Sequence, residues 1–305
     1  GTEVTVDNGV VSGFNFTNTY AASGKLTLSG TKTFTGRDAT AADVFEFKLY
    51  KDTVADGNLI DTQTVTGSGT YSFAALNYYL NLQATPALND LGEHKYVVVE
   101  TVPVSNPSGG VTYDTTQYTV VVTVSDAGDG KLNITATGAN VSGSAGVFEG
   151  TGLNFTNIYE ANGEFDVDAE IGVTKKLEAG GRELTAGEFS FTLSSADDAD
   201  NATLSGTNDL NGDVSFANLV YDEADIGKTY TYKVVENIPD PQEIGMTYSA
   251  NVLTFKVTVT DSGGGVLKAT KSEVTGSSEF VNAYEAGGEF DVDAEIGVTK
   301  KLEAG

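Results

Sequence analysis

The chain has 305 residues, room for two domains with real cores, and a formal charge of -26 that is spread along its length rather than gathered in a tail. Such a field repels phosphate backbones and anionic lipid, so nucleic-acid and membrane-surface roles are disfavoured. With no cysteine and a single histidine, disulfides, thiolate metal sites and Cys nucleophiles are excluded, and no apolar run approaches the length of a membrane span.

Thr, Val, Gly and Tyr are abundant, Pro is scarce, and the apolar residues come in short alternating runs. That pattern predicts an all-β fold. One segment, Phe-x-Asn-x-Tyr, occurs three times: around Asn18 (Phe16 to Tyr20), Asn157 (Phe155 to Tyr159) and Asn282 (Phe280 to Tyr284). In a strand each Asn points the same way as its two aromatic neighbours. Buried there, its amide needs something that pairs with it or reacts with it.

Taken in order, residues 1–22 read as the terminal strands of a preceding, truncated module. Two whole modules follow, 23–161 and 162–286, and 287–305 reads as the first strand of a further truncated one. The segment 163–180 returns unchanged as 288–305, so the chain is expected to be a window from a tandem array. The two whole modules share an order of landmarks. Each opens on a strand containing Lys, from Leu26 to Phe34 with Lys32 and from Ile171 to Leu177 with Lys175 and Lys176. A Gly-Arg turn follows (Gly36-Arg37, Gly181-Arg182), then Phe45-x-Phe47-x-Leu49 or Phe189-x-Phe191-x-Leu193, then Tyr71-Ser72-Phe73 or Val214-Ser215-Phe216. The stretch Leu76 to Asp90 could hold a short helix or a long loop, and Asp222 to Asp225 in module two is left open. Next come Tyr96 to Glu100 or Tyr232 to Glu236, then Val111-Thr112-Tyr113 or Met246-Thr247-Tyr248. A hairpin turning at Asp126 to Gly130 or Asp261 to Gly265 precedes the closing Phe-x-Asn-x-Tyr. About seven short strands per module suggest tandem immunoglobulin-like β-sandwich modules.

Strand parity sorts the charged residues. Lys32 shares a face with Leu28 and Phe34, leaving Lys25 solvated; Lys175 shares one with Val173 and Leu177, leaving Lys176 outside; Glu100 goes with Tyr96 and Val98, and Glu236 with Tyr232 and Val234. Each module thus sets one Lys, one Glu and one Asn on apolar strand faces. Burial lowers a lysine pKa and raises that of a carboxyl. A neutral amine can then attack the Asn carbonyl while Glu shuttles protons, releasing ammonia and leaving a Lys–Asn isopeptide bond. The other outcome of the same triple is a buried salt bridge beside a hydrogen-bonded Asn.

This ordered set of motifs resembles the pilin isopeptide-linkage domains of Gram-positive surface proteins, of the FctA/T-antigen major pilin and CnaB-like type. The resemblance covers nearly all of 23–286 and implies an autocatalytic bond between first and last strands of each module. Carried over, it implies Lys32 joined to Asn157 with Glu100 assisting, and Lys175 joined to Asn282 with Glu236 assisting. Asn18 and Lys300 occupy matching positions in the truncated modules and are expected to stay unreacted. The doublet Lys175-Lys176 leaves two candidate nucleophiles in module two, and neither a pilin-polymerisation lysine motif nor a sortase signal is found.

The function expected is a structural stalk or shaft segment of a bacterial surface pilin or fibrillar adhesin, extracellular on a cell-wall-anchored parent or a pilus. It is no turnover enzyme, needs no cofactor or metal, and has neighbouring modules of its parent as partners. The competing reading is an adhesin domain that recognises a host glycan or protein, for which Tyr78-Tyr79-Leu80 is the candidate exposed patch. His94 reads as solvated, and the acidic runs Asp197 to Asn201 and Asp126 to Asp129 read as exposed turns rather than calcium loops.

Overall fold

The structure, a computed structural model, describes residues 5–12, 17–104, 109–140, 145–147, 152–180, 182–288, 297 and 301. Two compact units divide the chain, Gly1–Glu160 and Ala161–Gly305, and both are built almost wholly of strands.

In the first unit a six-stranded sheet runs, edge to edge, Ala145–Val147, Leu132–Asn140, Gln117–Asp126, Gly92–Glu100, Val44–Lys51 and Leu59–Thr66. A second sheet has the order Val111–Thr112, Phe155–Tyr159, Ser29–Thr35, Gly69–Ser72. Alternation decides which faces meet. Phe45, Phe47, Leu49, Val98, Val120 and Val122 turn inward from the large sheet, and Phe34, Tyr71, Phe155 and Tyr159 from the other, all buried. Phe47 bridges the two layers, stacked on Tyr71 at 4.1 Å and tilted against Phe155 at 5.4 Å between ring centroids. The Gln117–Asp126 hairpin turns through Gly128 and Gly130, both at positive φ (80° and 84°), where a side chain would be strained.

The second unit repeats the plan. Its six-stranded sheet runs Val214–Ser215, Thr203–Asn208, Ser190–Ser195, Thr229–Glu236, Val252–Asp261, Leu267–Thr275, and its second sheet Thr174–Ala179, Glu279–Tyr284, Met246–Thr247. Phe191 and Phe280 meet edge-on across the core at 5.3 Å.

One pairing positions everything that follows. In each unit the Lys-bearing strand lies parallel to, and hydrogen-bonded with, the closing Phe-x-Asn-x-Tyr strand. Lys32 is opposite Phe155 and Phe34 opposite Asn157; Lys175 is opposite Phe280 and Leu177 opposite Asn282. The register is the same in both units, with Asn two residues beyond the partner of Lys. Two residues along a strand return to the same face.

Three local expectations need correction. The opening strand of module one is two strands: Ala22–Leu26 pairs with Leu76–Asn81, and only Ser29–Thr35 joins the Asn strand. The chain changes sheets at fully buried Leu28, the corner move by which a sandwich shares one segment between layers. In module two the strand begins at Thr174, after a one-turn helix Val167–Glu170 capped by Asp166, which accepts the Ala169 N–H at 2.9 Å. Leu76 to Asp90 holds no helix: Leu76–Asn81 and Leu88–Asn89 form a hairpin, because Leu76, Tyr78 and Leu80 alternate inward at strand period. Asp222 to Asp225 holds a 3-10 turn, Glu223–Asp225, with a reciprocal capping box between Asp222 and Asp225.

Candidate functional site

The closing strand, the opening strand and the strand ending in Glu converge inside each sandwich. Lys32, Glu100 and Asn157 are all buried, as are Lys175, Glu236 and Asn282. In the first unit Glu100 Oε2 accepts from Lys32 Nζ at 2.7 Å, and Glu100 Oε1 accepts from Asn157 Nδ2 at 2.5 Å. In the second, Glu236 Oε2 accepts from Lys175 Nζ at 2.8 Å and Oε1 from Asn282 Nδ2 at 2.6 Å. One carboxyl therefore holds two nitrogens that belong to neighbouring parallel strands, and does so identically twice.

The surroundings are apolar on the lysine side. Lys32 Nζ lies 4.5 Å from the centroid of the Phe45 ring and Lys175 Nζ 4.4 Å from that of Phe189. Burial pushes the Lys32 amine below its ordinary pKa although Glu100 pulls the other way, and burial pushes the Glu100 carboxyl up against the pull of Lys32. Burial likewise lowers the Lys175 amine against the pull of Glu236. Removing charge from both partners of a dry pair is the expected direction when no further charge compensates. The second lysine of the doublet differs: Lys176 has a side chain 53% exposed and pairs with Glu178 at 3.2 Å. Lys25 is exposed too.

Two further parts of the site take their roles from the tertiary structure. The oxygen of each Asn amide faces away from the Glu and accepts a main-chain N–H, from Asp114 to Asn157 Oδ1 at 2.7 Å and from Ser249 to Asn282 Oδ1 at 2.8 Å. Of the two amide atoms only the oxygen can accept from an N–H, so these bonds orient the amide and leave Nδ2 for Glu. The available signal was the turn-forming residue that follows Thr-Tyr in both modules. Second, the arginine of each Gly-Arg pair grips the closing strand. The Arg37 guanidinium sits 4.2 Å from the Tyr159 ring centroid, held bidentate by Asp43 at 2.8 and 3.0 Å, and Arg182 sits 4.6 Å from that of Tyr284, held by Glu188 and Glu243. Gly36 (φ 99°) lies so close to the Tyr159 carbonyl that a Cβ would sit 2.0 Å from its oxygen.

The remaining candidates lie elsewhere. Asn18 is exposed and outside any strand; Lys300, matched with it above, lies outside the described residues. Of the Tyr78-Tyr79-Leu80 patch, Tyr78 and Leu80 are buried and only Tyr79 (44% exposed) faces solvent. His94 contacts the Asp90 carbonyl through Nε2 at 2.8 Å and packs on Tyr78. The acidic runs are engaged in hydrogen bonds: Asp126 accepts from Tyr20 and Gly128, and Asp198, buried together with Asn201 rather than in the exposed turn expected, accepts from Asn201 and Tyr232. Among the described residues no group of three or more His, Cys, Asp or Glu is placed to hold a metal ion.

Two sandwiches with a buried Lys–Glu–Asn triple between their first and last strands define a tandem immunoglobulin-like, CnaB-type β-protein. The profile of the family described as FctA, the Spy0128-like isopeptide-containing domain, matches residues 28–160 and again 171–285. The chain belongs to that family. Among solved structures it is similar to the T-13 major pilin protein from Streptococcus pyogenes, at 18% identity over 88% of this chain and 99% of that one, with a TM-score of 0.32. It is also similar to a further major pilin from Streptococcus pyogenes (19% identity, 85% and 98% covered, TM-score 0.30). The shaft pilin SpaA from Lactobacillus rhamnosus GG, a D-to-N mutant, matches at 14% identity, with 86% and 99% covered and a TM-score of 0.23. No curated protein matches the chain.

Proposed function

We propose that this chain is a load-bearing shaft segment of a Gram-positive surface pilin or fibrillar adhesin, working outside the cell, whose two modules each close a Lys–Asn isopeptide bond. The pairs are Lys32 with Asn157 and Lys175 with Asn282, and the modules are residues 23–161 and 162–286. One observation carries this reading: a single buried carboxyl holds the Lys and Asn nitrogens of neighbouring parallel strands, in the same register, in both modules. Its partners are neighbouring modules and subunits of the same shaft. Each triple reacts once, so nothing turns over.

The reaction balances without a cofactor. The Lys lone pair attacks Asn Cγ, forming a C–N bond; one Nζ proton passes to Glu and from there to Nδ2; the Cγ–Nδ2 bond breaks and ammonia leaves. Fixed contact in a dry site supplies the acceleration. Glu, already bonded to both nitrogens, is the natural relay. Before closure the pair Lys32 and Glu100 shares one proton, with amine and carboxyl both pushed toward neutrality. The closure rate should therefore be flat through neutral pH. It should fall in acid, where a second proton charges the amine, and in alkali, where the shared proton is lost. A rate that climbs steadily with pH across neutrality would mean that an ordinary, charged lysine is being titrated instead.

The test is the intact mass of the denatured chain, with peptide mapping. Loss of two ammonia molecules, with branched peptides joining Lys32 to Asn157 and Lys175 to Asn282, is expected. Lys176→Arg should leave both losses in place, whereas Lys175→Arg should abolish the second. A full mass would reduce the triples to buried polar clusters and end the mechanical account.

A further inference from the structure

We infer that the main-chain N–H of Asp114 and of Ser249 is the oxyanion donor of the cross-linking reaction, and that the side chain of the same residue makes module one close more slowly than module two. This rests on the cross-linking reading above. In amide attack the negative charge develops on the carbonyl oxygen, and a fixed donor aimed at that atom lowers the barrier. The Glu carboxyl is not that donor, since both its oxygens are committed to the two nitrogens. The atom that becomes the oxyanion instead meets one main-chain N–H, at 2.7 Å in module one and 2.8 Å in module two. The labour is thereby divided: the turn stabilises the oxygen while Glu moves the proton from the attacking to the leaving nitrogen.

The donor is built by the turn itself. Asp114 Oδ1 accepts the Thr116 N–H at 2.9 Å, and Ser249 Oγ accepts the Asn251 N–H at 3.3 Å, the same loop closure two residues on. The modules then part. Asp114 Oδ2 also accepts from Thr156 N–H, next to Asn157, at 2.9 Å, whereas Ser249 brings no charge. Burial pushes the Asp114 carboxyl up, but hydrogen bonds from Thr116 and Thr156 outweigh it and hold the group ionised at neutral pH. Its charge favours the protonated forms of Lys32 and Glu100 alike, so proton exchange between them stays balanced. The growing oxyanion has no such compensation. It forms on an atom bonded to the very residue that carries the negative charge.

Closure is followed in the full chain after a short cell-free synthesis pulse, quenched at intervals and read by mass and peptide mapping. Module two should close first, roughly tenfold faster, the effect of one partly screened charge near a developing one. Asp114→Ser should speed module one by that factor and Ser249→Asp should slow module two by it, so that the double exchange reverses the order. A backbone ester at 249, made with the α-hydroxy analogue of serine, deletes the N–H alone and should slow module two by about a hundredfold while module one closes normally. Equal rates, an order that survives the exchange, or an ester variant closing at the parent rate would each overturn the inference. Should the ester variant misfold, the exchange decides. A parent chain that never loses ammonia overturns the cross-linking reading, and this inference with it.

Discussion

Asn157→Ala is expected to lower the melting transition of module one by roughly 15–25 °C, while the transition of module two stays where it is. The proposed bond between Lys32 and Asn157 would close a loop of 125 residues, worth about 5 kcal/mol in the chain-entropy account of cross-links. For a module of this size about 1 kcal/mol moves the midpoint by roughly 3–5 °C. This variant keeps the Lys32–Glu100 pair; besides the cross-link it removes the side-chain hydrogen bonds of Asn157 to the Asp114 N–H and to Glu100. Glu100→Ala should cost more: the bond is not made, and Lys32 is left buried beside a cavity with no acceptor. Calorimetry of the three proteins should rank them parent, Asn157→Ala, Glu100→Ala. If Asn157→Ala melted with the parent, no covalent bond would be present to lose.

Under force the contrast should be larger still. The opening and closing strands of each module lie parallel and adjacent, so load entering at one and leaving at the other runs across their shared edge. With the bond closed, load passes from the Lys strand into the Asn strand through the side chains and bypasses the sandwich between. In single-molecule stretching the parent should show no unfolding step for residues 32–157 or 175–282. Asn157→Ala should add one step of roughly 400 Å, the extended length of the 125 residues released. Asn282→Ala should add one of roughly 350 Å for its 107. Both single variants should keep the other module inextensible. Steps of this length in the parent would place the load on hydrogen bonds alone.

Much of the fold is written locally. The thrice-repeated Phe-x-Asn-x-Tyr, the unchanged return of 163–180 and the common order of landmarks mark the modules without any structure. Strand parity suffices to put Lys32 with Leu28 and Phe34, and to separate Lys175 from Lys176, because side chains alternate with a period of two whatever the strand pairs with. Residue type adds the chemistry, since an amine, a carboxyl and an amide on apolar faces must either pair or react.

The tertiary structure decides what parity leaves open. A period-two pattern says which face a residue takes and nothing of its neighbours, so the parallel pairing of two strands from opposite ends of each module, and the register that sets Asn two positions beyond the partner of Lys, belong to the sheet. The same holds where strands end: Leu28 is a corner between layers and Leu76–Asn81 a strand, both settled by which sheet could take them. For the orientation of the Asn amide the sequence offers only the turn-forming residue after Thr-Tyr, Asp114 or Ser249, and not which atom its main chain meets. A main-chain N–H has no residue code, and only a turn packed against the closing strand brings those of Asp114 and Ser249 to the carbonyl oxygen.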